Sequence, residues 1–232
     1  MTIVVGILCS DGIVIAADRQ ATHGTMGQPT VGQAVTKVRI IRDDALFAIS
    51  GHLGLGQQLA AIVEDKRQEF RNQPYDKSIA KLQEHLRPLV NSAFQTAGLA
   101  SKVYGAQAAS SDCICHSLLA APFKDATAPL PSRESIKLVE ITPQVAVEAM
   151  SADLPFISLG SGKGSADPFL GFLRKVFWPS ALPTVKEGTL AALWTVQHAI
   201  DMKVLGVGFA PDVFVLERVE GVFRPVKSLM LN

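Results

Sequence analysis

Apolar positions along the chain follow two rhythms. Through the first fifty residues they fall in short, nearly continuous blocks: Ile3 to Leu8, Ile13 to Ala17, Lys37 to Arg42 and Ala45 to Ser50. Cys9-Ser10-Asp11-Gly12 separates the first pair and Asp43-Asp44 the second, and both have the turn chemistry of hairpins. Ile13, Val14, Ile15, Ala16 and Ala17 are apolar at every position, the mark of a strand covered on both faces and hence of a sheet lying between other layers. The stretch from His23 to Gly32 is rich in Gly, Thr and Pro and reads as a loop.

A helical rhythm follows. Leu55, Leu59, Ile62, Val63 and Phe70 share one stripe opposite Glu64, Lys66, Arg67 and Glu69, and Pro74 ends that helix. A second helix runs from about Asp76 to Ala97, with Pro88 as a point of kinking. Strands return at Asp112 to Ala120 and Ile136 to Ile141, joined by a loop containing Pro122, Pro129 and Pro131. Val145 to Met150 and Phe156 to Leu159 are further short strands. Asp167-Pro168 reads as a helix start, and Thr184 with Glu187 forms a capping box ahead of Leu190, Leu193 and Val196. Asp212 to Arg218 and Val222 to Leu231 close the chain as strands around Glu220-Gly221. Strands, two helices, strands, two helices, strands is the order of a layered α+β domain with helices packed on sheets. No linker interrupts it, so residues 1–232 are expected to form one domain.

Composition narrows the function classes. The 232 residues carry 22 Lys and Arg against 21 Asp and Glu, and this balance gives no electrostatic reason to expect a nucleic-acid or acidic-membrane partner. Three cysteines in a chain of this size make no disulfide framework, and the N-terminus lacks the basic segment of a signal peptide, so a cytoplasmic location is expected. Gly160-Ser161-Gly162-Lys163-Gly164-Ser165 misses both the phosphate-loop and the dinucleotide patterns. Cys113-Ile114-Cys115-His116 has no second Cys/His pair to complete a metal site and reads as buried thiols.

The chemistry sits elsewhere. Thr2 follows the initiator methionine, and removal of Met1 leaves its hydroxyl beside a free α-amine with a pKa of about 8, nucleophile and base in one residue. Asp18 ends the wholly apolar strand, where a carboxylate needs a partner or an exposed edge. Lys37 opens a later apolar strand. If the two strands are neighbours, Asp18 fixes the Lys37 ammonium beside the N-terminal strand, and that charge favours a deprotonated base at neutral pH.

Thr2 to Gly24, Lys37 before Val38-Arg39-Ile40, Ala48-Ile49-Ser50-Gly51 and Leu159-Gly160-Ser161-Gly162, taken as a set, resemble the proteasome β-type subunits over essentially the whole chain. Those proteins are N-terminal-nucleophile hydrolases acting as threonine proteases. The resemblance implies a four-layer αββα sandwich and no cofactor or metal. It makes Thr2 the nucleophile, Lys37 the charge that lowers proton affinity, Asp18 the holder of Lys37, the Gly51 amide an oxyanion donor and Ser161 a hydrogen-bonding partner of the α-amine. Ala21, Ile49 and Leu53 match positions lining the pocket for the residue before the cut, which implies cleavage after hydrophobic residues. Implied partners are further copies in stacked homo-oligomeric rings, unfolded polypeptide or peptide substrates, and an ATP-dependent unfoldase or other gating partner. The chain departs from the family pattern at Gln20, at Leu55 and from Val204 to Gly208. A catalytically inactive ring subunit and a small-molecule amidohydrolase are the alternatives.

Overall fold

The computed structural model describes residues 2–25, 28–71, 73–104, 113–125 and 134–228. The first two apolar blocks pair as β1 (Val4–Leu8) and β2 (Gly12–Ala17), with the Cys9 amide closing the turn on the Gly12 carbonyl at 2.9 Å. The next two pair as β5 (Val38–Ile41) and β6 (Ala45–Gly51); Arg42 and Asp43 at their turn take left-handed φ angles of 44° and 57°. Between them lie β3 (Gln20–Thr25) and β4 (Gln28–Ala34). Beyond helices α1 (Leu53–Arg71) and α2 (Tyr75–Tyr104) come β7 (Cys115–Lys124), β8 (Glu134–Ile141), β9 (Val147–Ala149) and β10 (Phe156–Leu159). Helices α3 (Lys163–Phe177) and α4 (Val185–Asp201) precede β11 (Asp212–Val219) and β12 (Val222–Ser228).

The strands form two five-stranded antiparallel sheets, ordered β10-β1-β2-β11-β12 and β5-β6-β7-β8-β9, plus the separate β3-β4 pair. Three apolar layers hold them. Ile13, Ile15 and Ala17 of β2 meet Leu46, Leu118 and Leu138 between the two sheets. Val14 and Ala16, pointing the other way, pack with Ala192 and Val196 of α4. Phe47, Leu119 and Val139 on the far face of the second sheet meet Leu59, Val63 and Leu86 of α1 and α2. The result is the expected αββα sandwich, and the continuous apolar run of β2 is explained: both its faces are covered. Among the described residues, no helix is long and apolar enough to cross a membrane.

Several local expectations need correction. The stretch read as a loop from His23 to Gly32 is largely strand, β3 paired with β4, with a bulge between His23 and Gly24; a detached two-stranded ribbon tolerates Gly and Pro that a central strand would not. Asp167 is not a cap. Helix α3 already begins at Lys163, after the Gly160–Gly162 turn, and Asp167 sits one turn inside it, ion-paired to Lys163 at 2.8 Å and accepting the Ser158 hydroxyl. Helix α2 continues past Ala97 to Tyr104 with Pro88 inside it. Strand β7 starts at Cys115 and absorbs Pro122, while Asp112, Pro129, Pro131 and Leu229 to Leu231 lie outside the described residues. The Thr184–Glu187 capping box is present as expected, and Asp11 from the first turn accepts the Val185 amide at 2.7 Å.

Arg67, expected opposite the apolar stripe of α1, belongs to the core instead. Arg67 of α1 is fully buried; its Nε and Nη2 donate to the two Asp44 oxygens at 3.1 and 2.9 Å, and Nη2 also reaches the Pro122 carbonyl at 3.0 Å. Arg71, partly exposed, contacts the same Asp44 at 3.2 Å. Removing one member of a buried pair leaves an uncompensated charge, costing about 3–5 kcal/mol, whereas exposed pairs contribute about 0–1 kcal/mol. Denaturant titration of Arg67→Ala and Arg71→Ala should therefore show the large loss for Arg67 alone; equal losses would place the stabilisation elsewhere.

Candidate active site

Asp18, directly after β2, has its side chain fully buried. Its Oδ1 accepts the Ile3 amide at 2.9 Å and the Lys37 ammonium at 2.5 Å. Its Oδ2 accepts the Gln20 amide at 3.1 Å and the Gly208 amide at 3.2 Å. Four donors converge on one carboxylate, as a buried anion requires. The partner strands are not neighbours within a sheet: β2 belongs to one five-stranded sheet and β5 to the other, so Lys37 reaches Asp18 across the interface between them. The Ile49 amide bonds the Lys37 carbonyl at 3.1 Å, tying Lys37 to β6 as well. Burial pulls the Lys37 ammonium below its ordinary pKa, while Asp18 opposes that shift.

Thr2, 5% exposed, immediately precedes Ile3, whose amide Asp18 holds. Its amide donates to Ser161 Oγ at 3.2 Å, its carbonyl accepts the Gly162 amide at 3.1 Å, and the Asp18 amide donates to the Ile3 carbonyl at 3.2 Å. Ser161 Oγ lies within 3.3 Å of the Leu205 carbonyl. Met1 lies outside the described residues. Gly160, at φ +91°, lets the turn before α3 close on Thr2: a Cβ there would collide with the Thr2 carbonyl oxygen and sit 2.8 Å from Ser50 Oγ. Strand β6 therefore ends against Thr2, and its last residue is Gly51 at φ +120°, where a Cβ would collide with the Ile114 carbonyl.

Thr2, Asp18, Lys37 and Ser161 are thus brought together, with Gly51 next to Ser50 at the same junction. Ile49 and Leu53 pack into one cluster beneath α1, where Gly56 leaves room for the Ile49 side chain. Ala21 is half-buried on β3, in a different sheet. The region from Val204 to Gly208, which departs from the family pattern, still meets the site through its main chain. Gly208, Leu205 and the Gln20 amide carried no signal in the sequence, because backbone donors are common to every residue type.

The fold is known from solved structures. Anbu (ancestral beta-subunit) from Yersinia bercovieri superposes with a TM-score of 0.66 at 16% identity, over 97% of this chain and 86% of that one. The Anbu chain from Pseudomonas aeruginosa gives 0.67 at 20% identity over 97% and 85%, and HslV from Trypanosoma brucei gives 0.62 at 21% over 93% and 99%. Proteasome subunit beta of Methanocella paludicola is 33% identical over 69 residues, 30% of this chain and 32% of the relative. The Methanobrevibacter smithii counterpart is 32% identical over 80 residues, 34% and 38%. The matches thus span about a third of the length of either curated relative. Residues 2–105 match the family described as proteasome subunit. That match covers a little under half of the chain. It contains Thr2, Asp18, Lys37 and Gly51, while Ser161 and Gly208 reach the same place from the unmatched part of the chain.

The buried thiols Cys9 and Cys115 are alternative nucleophiles. Burial pushes the Cys9 thiol up to about 12 and the Cys115 thiol, opposite Gly51 on β7, up to about 11. Both stay protonated at pH 8, and thiols react as thiolates. Iodoacetamide at pH 8 should modify Cys9 and Cys115 only after denaturation, as read by peptide mass mapping; labelling of the native protein at either would contradict this burial.

Proposed function

We propose that this chain is a threonine-type endopeptidase whose nucleophile is Thr2 after excision of Met1. The observation that carries the reading is the Asp18–Lys37 pair held against the N-terminal strand, with Ser161 on the Thr2 nitrogen. Lys37 is an internal cation that the fold desolvates, and its field lowers the proton affinity of a neighbouring amine. The α-amine of Thr2 takes the hydroxyl proton as the oxygen attacks the amide carbonyl. The Gly51 amide donates to the oxyanion, a contribution typically worth a few kcal/mol. The tetrahedral intermediate expels the amine fragment with the transferred proton, leaving an ester on Thr2 that water hydrolyses. The apolar Ala21, Ile49 and Leu53 accord with cleavage after hydrophobic residues.

Intact-mass measurement with an electrophilic inhibitor directed at N-terminal threonine tests this. Loss of Met1 and one adduct per chain at Thr2 are expected, with no adduct and no peptide cleavage from Thr2→Ala. An adduct elsewhere, or cleavage surviving the substitution, overturns the assignment.

The same reading includes self-association into rings or related stacks. The Anbu structure from Pseudomonas aeruginosa is described as a helical assembly. Here Phe177 of α3 and Leu190 and Trp194 of α4, all about half exposed or more, line a groove between the two helices, and Phe172 and Val176 of α3 are similarly exposed. A contiguous apolar face of this kind on an outer layer calls for a covering partner, and a second copy supplies it. Trp194→Asp should lower the assembly mass in light scattering while leaving the circular dichroism of the subunit intact. An unchanged mass would exclude this face from the assembly.

A further inference from the structure

Asp212 opens β11 and pairs in register with Ala17, the residue before Asp18. It is 3% exposed, yet its two oxygens face cations: Oδ1 lies 2.9 Å from Lys227 Nζ on β12, and Oδ2 lies 3.6 Å from Arg19 Nε. The Arg19–Asp212 approach is incomplete, for Arg19 Nε and Asp212 Oδ2 are both buried without a hydrogen-bond partner. The Arg19 side chain is 39% exposed, so the carboxylate is the buried member of the pair, and a buried charge that is incompletely paired is costly.

The connection it anchors is strained. Between α4 and Asp212 the chain places Lys203, Gly206 and Phe209 at φ 53°, 74° and 59°. A bulky residue such as Phe209 in the left-handed region persists only where its surroundings over-determine it. This loop also serves the site: Gly208 donates to Asp18, the Gly208 carbonyl accepts the Arg19 amide at 3.2 Å, and the Leu205 carbonyl stands by Ser161 Oγ.

We propose that Asp212 is a positioning residue: by gripping Arg19 at the base of the loop, it holds the Gly208 amide on Asp18 and so fixes Lys37 beside Thr2. The inference rests on the function proposed above and deepens it. Asp212 touches neither substrate nor the reacting atoms; it acts through Arg19, Gly208 and Asp18. The charged groups of the network are Asp18 and Lys37 at its centre, Arg19 and Asp212 at its outer edge, and Lys227 on β12. Loosening the loop lets the Asp18–Lys37 pair shift, weakens the cation's effect on the Thr2 amine and raises the pH at which that amine becomes a base.

The test is the rate of Thr2 adduct formation from pH 5 to 9, using the full chain with Met1 removed, an electrophilic threonine-directed inhibitor and intact mass as readout. In Asp212→Asn the acid limb of the profile should move to higher pH, with the neutral-pH rate down about tenfold or more, since a misplacement of about 1 Å can cost about a hundredfold. Arg19→Gln should do the same, and Arg19→Lys should recover part of the loss. Lys227→Gln, on the outer side of the carboxylate, should leave the limb where it was. A lower melting temperature with an unmoved acid limb in both Asp212→Asn and Arg19→Gln would make the pair merely structural and overturn the proposal. Should Asp212→Asn fail to fold, Arg19→Gln alone decides. Absence of any Thr2 adduct in the unaltered chain would instead remove the function reading, and this inference with it.

Discussion

The arrangement depends on one buried anion. Asp18 has no access to water, and the desolvation of an isolated carboxylate costs far more than a fold can absorb. It is met by an ammonium and three backbone amides, drawn from Lys37, Ile3, Gln20 and Gly208. Those donors lie on four separate parts of the chain: the residue before β1, the first residue of β3, the residue before β5 and the loop before β11. Satisfying the charge therefore draws together segments that are as much as 190 residues apart.

The layered architecture makes that convergence possible. Lys37 and Asp18 come from opposed sheets, so their contact reports the registration of one sheet on the other. Within the first sheet, β2 pairs with β1 on one side and β11 on the other. A slip of one residue in β2 would exchange its two apolar faces and turn Asp18 away from the interface. The three apolar layers keep the register; the ion pair then uses it. Packing specifies the fold, and the polar contacts specify where along the fold chemistry can occur.

That division explains what could be read from residues alone. The continuous apolar run of β2 and the heptad-like stripe of α1 state their burial directly, so the layer order was legible. So was the capping box at Thr184, whose two partners are three residues apart. Thr2, Asp18 and Lys37 were legible as side chains whose charge or position was anomalous for their surroundings. The β3-β4 ribbon was not, because its stability comes from pairing that overrides a Gly- and Pro-containing sequence. Nor was the true start of α3: Gly162 offers no side-chain cap, and the turn is shaped by close approach of Gly160 to Thr2. The sheet-to-sheet geometry of Asp18 and Lys37 was equally hidden, since adjacency across layers leaves no trace in spacing.

The departures at Gln20 and at Val204 to Gly208 are one physical arrangement. A Cβ on Gly208 would meet Gln20 Oε1, so the end of the Gln20 side chain lies directly against Gly208. With that contact in place, the Gly208 amide meets Asp18 Oδ2 from one side and the Gln20 amide meets it from the other. Contacts made by main-chain atoms place little demand on residue identity at Val204 or Leu205. A loop that looks divergent as a string of side chains can thus deliver hydrogen bonds to the site, provided that its conformation is held. Here the conformation includes a left-handed Phe209, and the nearest charged anchor is the Arg19–Asp212 pair. The sequence requirement has moved from the loop itself to the residues that brace it.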